Sequence, residues 1–283
     1  MINKTTSKGR TVMAASALVA GILMLTLIPS YGETITNSIM KALQVMFEQS
    51  ADPHPAAAAK LAAFYFPMWI GLTMMAGVAL LILVRPIYRG DYWARPLALG
   101  MLAIPSITAA FMFGPVMNSS KHLAGVDAII LLIGLIPYLI VLLSEQSSGK
   151  DKAANATIFL LLGILIAFAF TNGFSALHEL NSRVDPKFYE GEYFMYAVLF
   201  PVIWLGCAAA IVGIPLLAGR SKTGWWMVTL GVVAMVLGLT AFSIVNPNAF
   251  YIGNLSLALV VLVLLLLPGV GGRLIDEKLS SVI

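Results

Sequence analysis

Apolar residues fill seven long stretches of the chain that contain no Asp, Glu, Lys or Arg, and short polar segments separate them. A helix needs about 20 mostly apolar residues to cross the hydrocarbon core of a bilayer. Each stretch is long enough for one crossing, and the last is long enough for two. The stretches are residues 11–32, 61–84, 96–120, 128–144, 153–177, 193–219 and 223–272.

The last stretch is interrupted near its middle by Asn246, Pro247 and Asn248, and a polar, proline-containing cluster is typical of a turn. Backbone groups must be paired inside lipid, so only helices or a closed barrel can cross it. The stretches lack the two-residue alternation of barrel strands. The sequence therefore predicts an all-α, polytopic transmembrane helix bundle with eight spans, at about residues 11–29, 61–84, 97–117, 127–143, 157–177, 195–219, 226–246 and 253–272.

One segment outside these spans has its own helical pattern. Residues 33–48 place Ile35, Ile39, Leu43 and Met46 at helical spacing, with polar residues between them. This pattern predicts an amphipathic helix that lies flat on the outer surface or caps the bundle. The alternative is an ordinary loop that happens to contain some apolar residues.

The two halves of the chain share short matching motifs, which indicate an internal repeat. Three of the matches are separated by the same 131 positions, although apolar segments draw on few residue types and chance matches are common. The pattern predicts two four-helix units, residues 1–152 and 153–283, in the same orientation, related by an axis along the membrane normal. The matches are Phe66-Pro67 with Phe200-Pro201, Leu99-Gly100 with Leu230-Gly231, Ala110-Phe111 with Ala241-Phe242, and Pro137 with Pro268.

Composition and charge support the membrane assignment and predict an orientation. The chain is 60% hydrophobic and 11% charged, which excludes an ordinary soluble domain and a disordered chain. Twelve of the 17 basic residues lie on the side of both termini, and the positive-inside rule then places both termini in the cytoplasm. We expect a bacterial-type plasma membrane protein, with the lipid bilayer as a partner. The net charge is +4, and the basic residues lie in short loops, where they set the orientation of the protein. No nucleic acid partner is therefore expected.

The charge-free stretches also lack histidine. Proton relays and most ion-coupled carriers need ionisable groups within the membrane, and haem between helices needs axial ligands such as histidine. We therefore expect no cofactor in this chain, and the pattern argues against an enzyme.

The only grouping typical of a metal site is in an outer loop. It consists of His178, Glu179, Asp185, Glu190 and Glu192. The ligand spacings of known zinc sites are absent from this loop, so a solvated acidic loop is the competing interpretation.

A few polar residues within the spans are candidates for contact with a ligand. Ser106 and Thr108 follow Pro105, where a break in the helix would free backbone groups. The others form a predicted polar rim at the outer ends of helices 5 and 7, where a small uncharged ligand or a lipid headgroup would bind; ordinary interfacial polarity is the alternative. These are Asn172, Ser175, Thr240, Ser243 and Asn246.

Three functional hypotheses remain open. The first is a structural or accessory membrane subunit or scaffold, which would associate with other membrane subunits or with itself. The alternative is a transporter or lipid-handling protein that binds a neutral or amphipathic ligand between the two repeats, in a polar-lined cavity bounded by helices 2, 3, 6 and 7. The third is an enzyme with an outward-facing site around His178.

Overall fold

The computed structural model describes residues 5–50, 54–144, 148–182, 192–245 and 247–275, and these ranges contain helices and turns without a β-strand. Eight helices are long and apolar enough to cross a membrane. This confirms the prediction of an all-α, multi-pass membrane protein. The helices are α1 (Ser7–Gln49), α2 (His54–Arg89), α3 (Ala94–Ser119), α4 (Ala124–Leu143), α5 (Gly149–Ser182), α6 (Glu192–Ala218), α7 (Lys222–Val245), α8 (Ala249–Leu266) and the short α9 (Pro268–Gly271).

Successive long helices run antiparallel, so the bundle has two ends. At one end, which we call the terminal face, the start of α1 meets the end of α2, and the Arg10 side chain donates to the Arg89 carbonyl oxygen at 3.1 Å. The tight α2–α3 and α6–α7 turns also lie at this end. We call the opposite end, where α1 ends and α2 begins, the loop face.

The two tight turns have the same hydrogen bonding. Gly90 and Arg220 both have a positive φ, of 83° and 62°. Each is followed by a residue whose backbone N–H reaches back five positions, from Asp91 to the Pro86 carbonyl and from Ser221 to the Leu216 carbonyl. This is the Schellman pattern of helix ends, which glycine adopts most easily. Arg220 therefore holds a backbone conformation that is unfavourable for a residue with a Cβ.

The segment 33–48 is helical, but it is neither a separate surface helix nor a loop. It continues α1 without interruption to Gln49. Ile35 and Ile39 are buried, whereas Met46 near the end is half exposed. At 1.5 Å per residue the 43 residues of α1 extend over roughly 65 Å, about twice the thickness of the hydrocarbon core. The end of α1 pairs with the start of α2 and extends past the end of α3 at the loop face, because the Ser38 hydroxyl lies 2.8 Å from the hydroxyl of Ser120, the residue after α3.

Glycines allow the closest helix pairs to touch backbone to backbone. A Cβ on Gly21 of α1 would lie 2.9 Å from the Gly77 carbonyl oxygen of α2, and a Cβ on Gly206 of α6 would lie 2.7 Å from the Gly231 carbonyl oxygen of α7. Small residues at this spacing let helices pack closely in membranes. These four glycines therefore serve packing within the protein.

The helices form two groups of four. In each group every helix packs on the next one in sequence, and the fourth packs back on the first: α1 to α4 form one group, and α5 to α8 form the other. The main contacts between the groups are those of α5 with α2, α3 and α4, and of α6 with α3. The junction between the two halves is therefore built from α2, α3, α5 and α6.

Candidate functional site

Aromatic rings fill the junction between the halves. Phe170 of α5 lies at the centre, stacked on Trp204 of α6 with ring centroids 5.0 Å apart and planes 10° apart. Phe111 of α3 and Trp69 of α2 contact Phe170 edge-on, at 5.0 and 5.1 Å. Tyr65 of α2 contacts Trp204 at 5.1 Å. We call these five residues the aromatic junction.

The aromatic junction lies where the transporter hypothesis required an open space. Phe111 is fully buried and Trp69 nearly so, and the Trp204 indole N–H donates to the Phe170 carbonyl oxygen at 3.2 Å. Aromatic pairs in this geometry add about 0.5–1.5 kcal/mol each beyond their burial. Side chains from four helices thus hold the halves together at this level, and α7 packs mainly within its own group.

The polar residues near Pro105 satisfy one another or the backbone. The Thr108 hydroxyl lies 3.2 Å from the Thr73 hydroxyl, and Thr108 also donates to the Ile104 carbonyl oxygen at 2.9 Å. Ser106 donates to the Leu131 carbonyl oxygen of α4 at 3.3 Å. These contacts join α3 to α2 and α4, and they use the polar groups that a ligand would need.

The described residues of the predicted polar rim do not form one surface. Thr240 is exposed on α7 and donates to its own helix, at the Val236 carbonyl oxygen, and Asn246 lies outside the described residues. Asn172 and Ser243 are instead buried, and the Asn172 Oδ1 and Ser243 Oγ atoms have no hydrogen-bond partner. Ser175 is partly buried and contacts the Tyr251 side chain of α8.

Asn254 of α8 is a further buried polar residue near Asn172, and the sequence analysis did not identify it. It is 4% exposed, and its Nδ2 atom has no partner. Asn172 lies three residues before Ser175, and Asn254 lies three residues after Tyr251. Residues three apart share a helix face, and α5 and α8 run in opposite directions. The two asparagines therefore lie at the same level, one turn below the contact of Ser175 with Tyr251. We call Asn172 and Asn254 the amide cluster.

A buried carboxyl group corrects the prediction that the spans lack ionisable side chains. Helix α4 begins at Ala124, four residues before the charge-free stretch, so Asp127 lies in its first turn. Asp127 is only 3% exposed, and its Oδ1 atom has no hydrogen-bond partner. It lies about 4.5 Å along the axis from the start of α4, so it is close to the loop face rather than at the bilayer centre. The helix dipole favours a carboxylate at this position.

Two of the predicted metal ligands lie at the contact of α5 with α2. The His178 ring nitrogen Nε2 lies 2.9 Å from the His54 carbonyl oxygen, and Glu179 Oε2 lies 3.7 Å from His54 Nε2. Asp185 and Glu190 lie outside the described residues, and only the backbone of Glu192 is described, as the first residue of α6. Within the described ranges, no three His, Cys, Asp or Glu side chains are arranged to hold a metal ion. The described contacts therefore join two helices across the halves at the loop face.

Comparisons of the chain with protein-family models, with curated proteins and with solved structures find no match. The functional assignment therefore follows from the geometry described above.

Proposed function

We propose that this protein is an accessory subunit or scaffold of a membrane complex, which contributes packing surfaces rather than a route for a substrate. The observation that carries this proposal is the aromatic junction, in which Phe170 and Trp204 stack at the contact of the two halves. A carrier that alternates between two states needs halves that rock against one another. Interlocked rings from α2, α3, α5 and α6 oppose such motion, because the buried contacts would have to break.

The orientation and the repeat belong to the same proposal. We place the terminal face in the cytoplasm, since twelve of the 17 basic residues of the sequence lie on that side. The matching turns at Gly90 and Arg220 support the duplication, because their Asp91 and Ser221 hydrogen bonds lie 130 positions apart. Side-chain hydrogen bonds at the helix ends also support the duplication. Arg95 at the start of α3 donates to the Leu142 carbonyl oxygen at the end of α4, and Trp225 near the start of α7 donates to the Leu265 carbonyl oxygen at the end of α8.

The surface we assign to a partner is the projecting end of the α1–α2 hairpin. Val45, Met46 and Phe47 are each about half exposed there, and they lie more than ten residues beyond Glu33, which interrupts the apolar part of α1. At 1.5 Å per residue this is about 18 Å along the helix. Exposed apolar groups at that height are suited to contact with a protein, because the acyl chains of the bilayer end below them.

The test is site-directed photo-crosslinking in native membranes. A photoreactive residue at Phe47 is expected to capture a specific second protein, and the same residue at Ile82, exposed on the membrane-spanning part of α2, is expected to capture lipid. Copurification in mild detergent should recover the captured protein. A stable monomer that gives no protein adduct at Phe47 would contradict the proposal.

A second candidate function, binding of a small neutral ligand, is favoured by the amide cluster. Buried polar atoms without a partner cost about 1–3 kcal/mol each. Asn254 Nδ2 and Asn172 Oδ1 are a donor and an acceptor on facing helices, and both have no partner. A neutral molecule with both donor and acceptor groups would satisfy them. Mass spectrometry of small molecules extracted from the purified protein tests this function: Asn172→Leu should lose a compound that the wild-type chain retains, and identical extracts would exclude it.

A further inference from the structure

A shallow apolar groove runs along α4 in the half nearest the terminal face. Its volume is about 420 Å³, and it is lined by Ile136, Leu139, Ile140, Leu143 and Ser144. Ile136 and Leu143 are 51% and 41% exposed. The spacing of these residues places them on one helix face over two turns. The groove is therefore a straight apolar surface along the last turns of α4.

Basic residues of α1 and α3 lie near the end of the groove at Ser144. The start of α1 packs against this end, because a Cβ on Gly9 would lie 3.6 Å from the Ser144 carbonyl oxygen. Lys8 and Arg10 flank Gly9 on α1. The Arg95 guanidinium of α3 lies beside the same end, since it donates to the Val141 and Leu142 carbonyl oxygens at 3.3 and 3.1 Å. The groove thus leads from an apolar wall to cations supplied by two helices.

Arg10 makes one described hydrogen bond through its side chain at this place. Its Nη1 atom donates to the Arg89 carbonyl oxygen, but its Nε atom is buried without a hydrogen-bond partner. Asp151, the acidic residue in the first turn of the following helix α5, accepts a hydrogen bond from the Ser148 hydroxyl at 2.7 Å. The positive charge of Arg10 suits a phosphate group, because charge-assisted hydrogen bonds between a guanidinium and a phosphate are strong.

We propose that this groove and its basic end bind one anionic glycerophospholipid of the terminal-face leaflet. An acyl chain lies along α4 from Leu143 to Ile136, and the phosphate lies against Lys8 and Arg10. Basic pockets on the cytoplasmic side of helix bundles recognise anionic headgroups in this way. The orientation proposed above would put the site in the leaflet rich in such lipids, but binding in a detergent-solubilised protein does not depend on that orientation.

The headgroup arm of the test uses native mass spectrometry of the full chain in detergent with an equimolar mixture of phosphatidylglycerol and phosphatidylcholine. The wild type is expected to retain phosphatidylglycerol preferentially. In the double variant Lys8→Gln/Arg10→Gln, the ratio of retained phosphatidylglycerol to retained phosphatidylcholine should fall at least 10-fold. Each basic residue near a lipid surface contributes roughly a factor of five to the binding of an anionic lipid. The matched control, Arg220→Gln/Lys222→Gln, removes two charges from the same face at the α6–α7 turn and should retain it. Equal retention of the two lipids by the wild type would overturn the proposal.

The acyl-chain arm separates a lipid site from a simple phosphate site. Ile140→Trp fills the groove and should lower phosphatidylglycerol retention several-fold, whereas Ile82→Trp on the exposed face of α2 should not. If the charge variants act and Ile140→Trp does not, the cations bind a headgroup without the groove, and the proposal is overturned. Thermal unfolding of each variant in the same detergent identifies a misfolded protein, and Leu143→Phe then replaces Ile140→Trp.

Discussion

Trp204 stacks on Phe170 with ring centroids 5.0 Å apart and ring planes only 10° apart, and its indole nitrogen donates to the Phe170 backbone carbonyl oxygen at 3.2 Å. One residue thus contributes both ring area and a hydrogen bond to the contact of α5 with α6. Phe111 and Trp69 extend the contact to α3 and α2. The proposal of a packed scaffold depends on this arrangement.

We predict that Trp204→Ala destabilises the protein by about 3 kcal/mol, the lower end of the usual cost of removing an aromatic side chain from a core, because Trp204 is partly buried. Thermal unfolding in detergent, monitored by circular dichroism, measures the change. Trp226→Ala is the matched control, because Trp226 is half exposed at the terminal face, and it should change stability by much less. Equal losses in the two variants would show that the junction contributes no special stability.

A second prediction concerns the glycine contact of α6 with α7. Gly206→Ala places a methyl group 2.7 Å from the Gly231 carbonyl oxygen, so the helices must separate, at a cost of about 1–3 kcal/mol. Gly163→Ala on α5 is the control, because nothing lies within 4 Å of the added Cβ. Alanine is the better helix former, so this control should be neutral or stabilising. A neutral Gly206→Ala would contradict the close packing of these helices.

The two positive-φ turns predict opposite responses to substitution. Arg220→Gly relieves a conformation that a residue with a Cβ adopts unfavourably, so it should raise stability by about 0.5–1 kcal/mol. Gly90→Ala introduces the same penalty at the α2–α3 turn and should lower stability by a similar amount. Differential scanning fluorimetry of both variants in one detergent tests the pair. A change of the same sign in both would mean that the backbone conformation does not control stability there.

The buried carboxyl group of Asp127 is predicted to lower the stability of the protein. A charge inside the protein without a partner costs stability, and Asp127 Oδ1 is buried and unpartnered. Asp127→Asn, which removes the charge and keeps the shape, is therefore expected to raise the unfolding temperature at neutral pH. Glu33→Gln, an exposed acid on α1, serves as the control and should have little effect. A marked loss of stability in Asp127→Asn would show that the carboxylate has a compensating partner.

The sequence predicted the helices well and their ends less well, for identifiable reasons. Long apolar stretches require helices in lipid, whatever their tertiary contacts. The first apolar stretch ends at Gly32, and residues 33–48 were predicted as a separate segment, yet α1 continues through both. Ile70 of α2 lies where a Gly32 side chain would be, so the two helices pack closely at this point. Asp127 stood at the first position of the predicted span 127–143, but the search for charge-free stretches began at residue 128 and left its carboxyl out of account.

The candidate site was predictable only in part. Asn172 and Ser243 were identified from their polarity, but Asn254 gave no signal inside its apolar stretch, and only the register of α8 against α5 relates it to Asn172. The aromatic junction had no local signature, since Phe111, Phe170 and Trp204 lie far apart in the chain. Tertiary contacts between distant helices decide both features, and local periodicity carries no information about them.

The most direct test of the packed interior uses the single native cysteine. Cys207 lies one turn after Trp204 on α6, is 2% exposed, and contacts the Ile166 carbonyl oxygen at 3.7 Å. A charged, membrane-impermeant thiol reagent is applied to membrane vesicles of both orientations, with Lys222→Cys in a Cys207→Ser background as the positive control. The account predicts that Cys207 remains unlabelled from both sides, while the thiol of the Lys222→Cys control is labelled from one. Rapid labelling of Cys207 from either side would reveal an aqueous route between the halves and contradict the scaffold assignment.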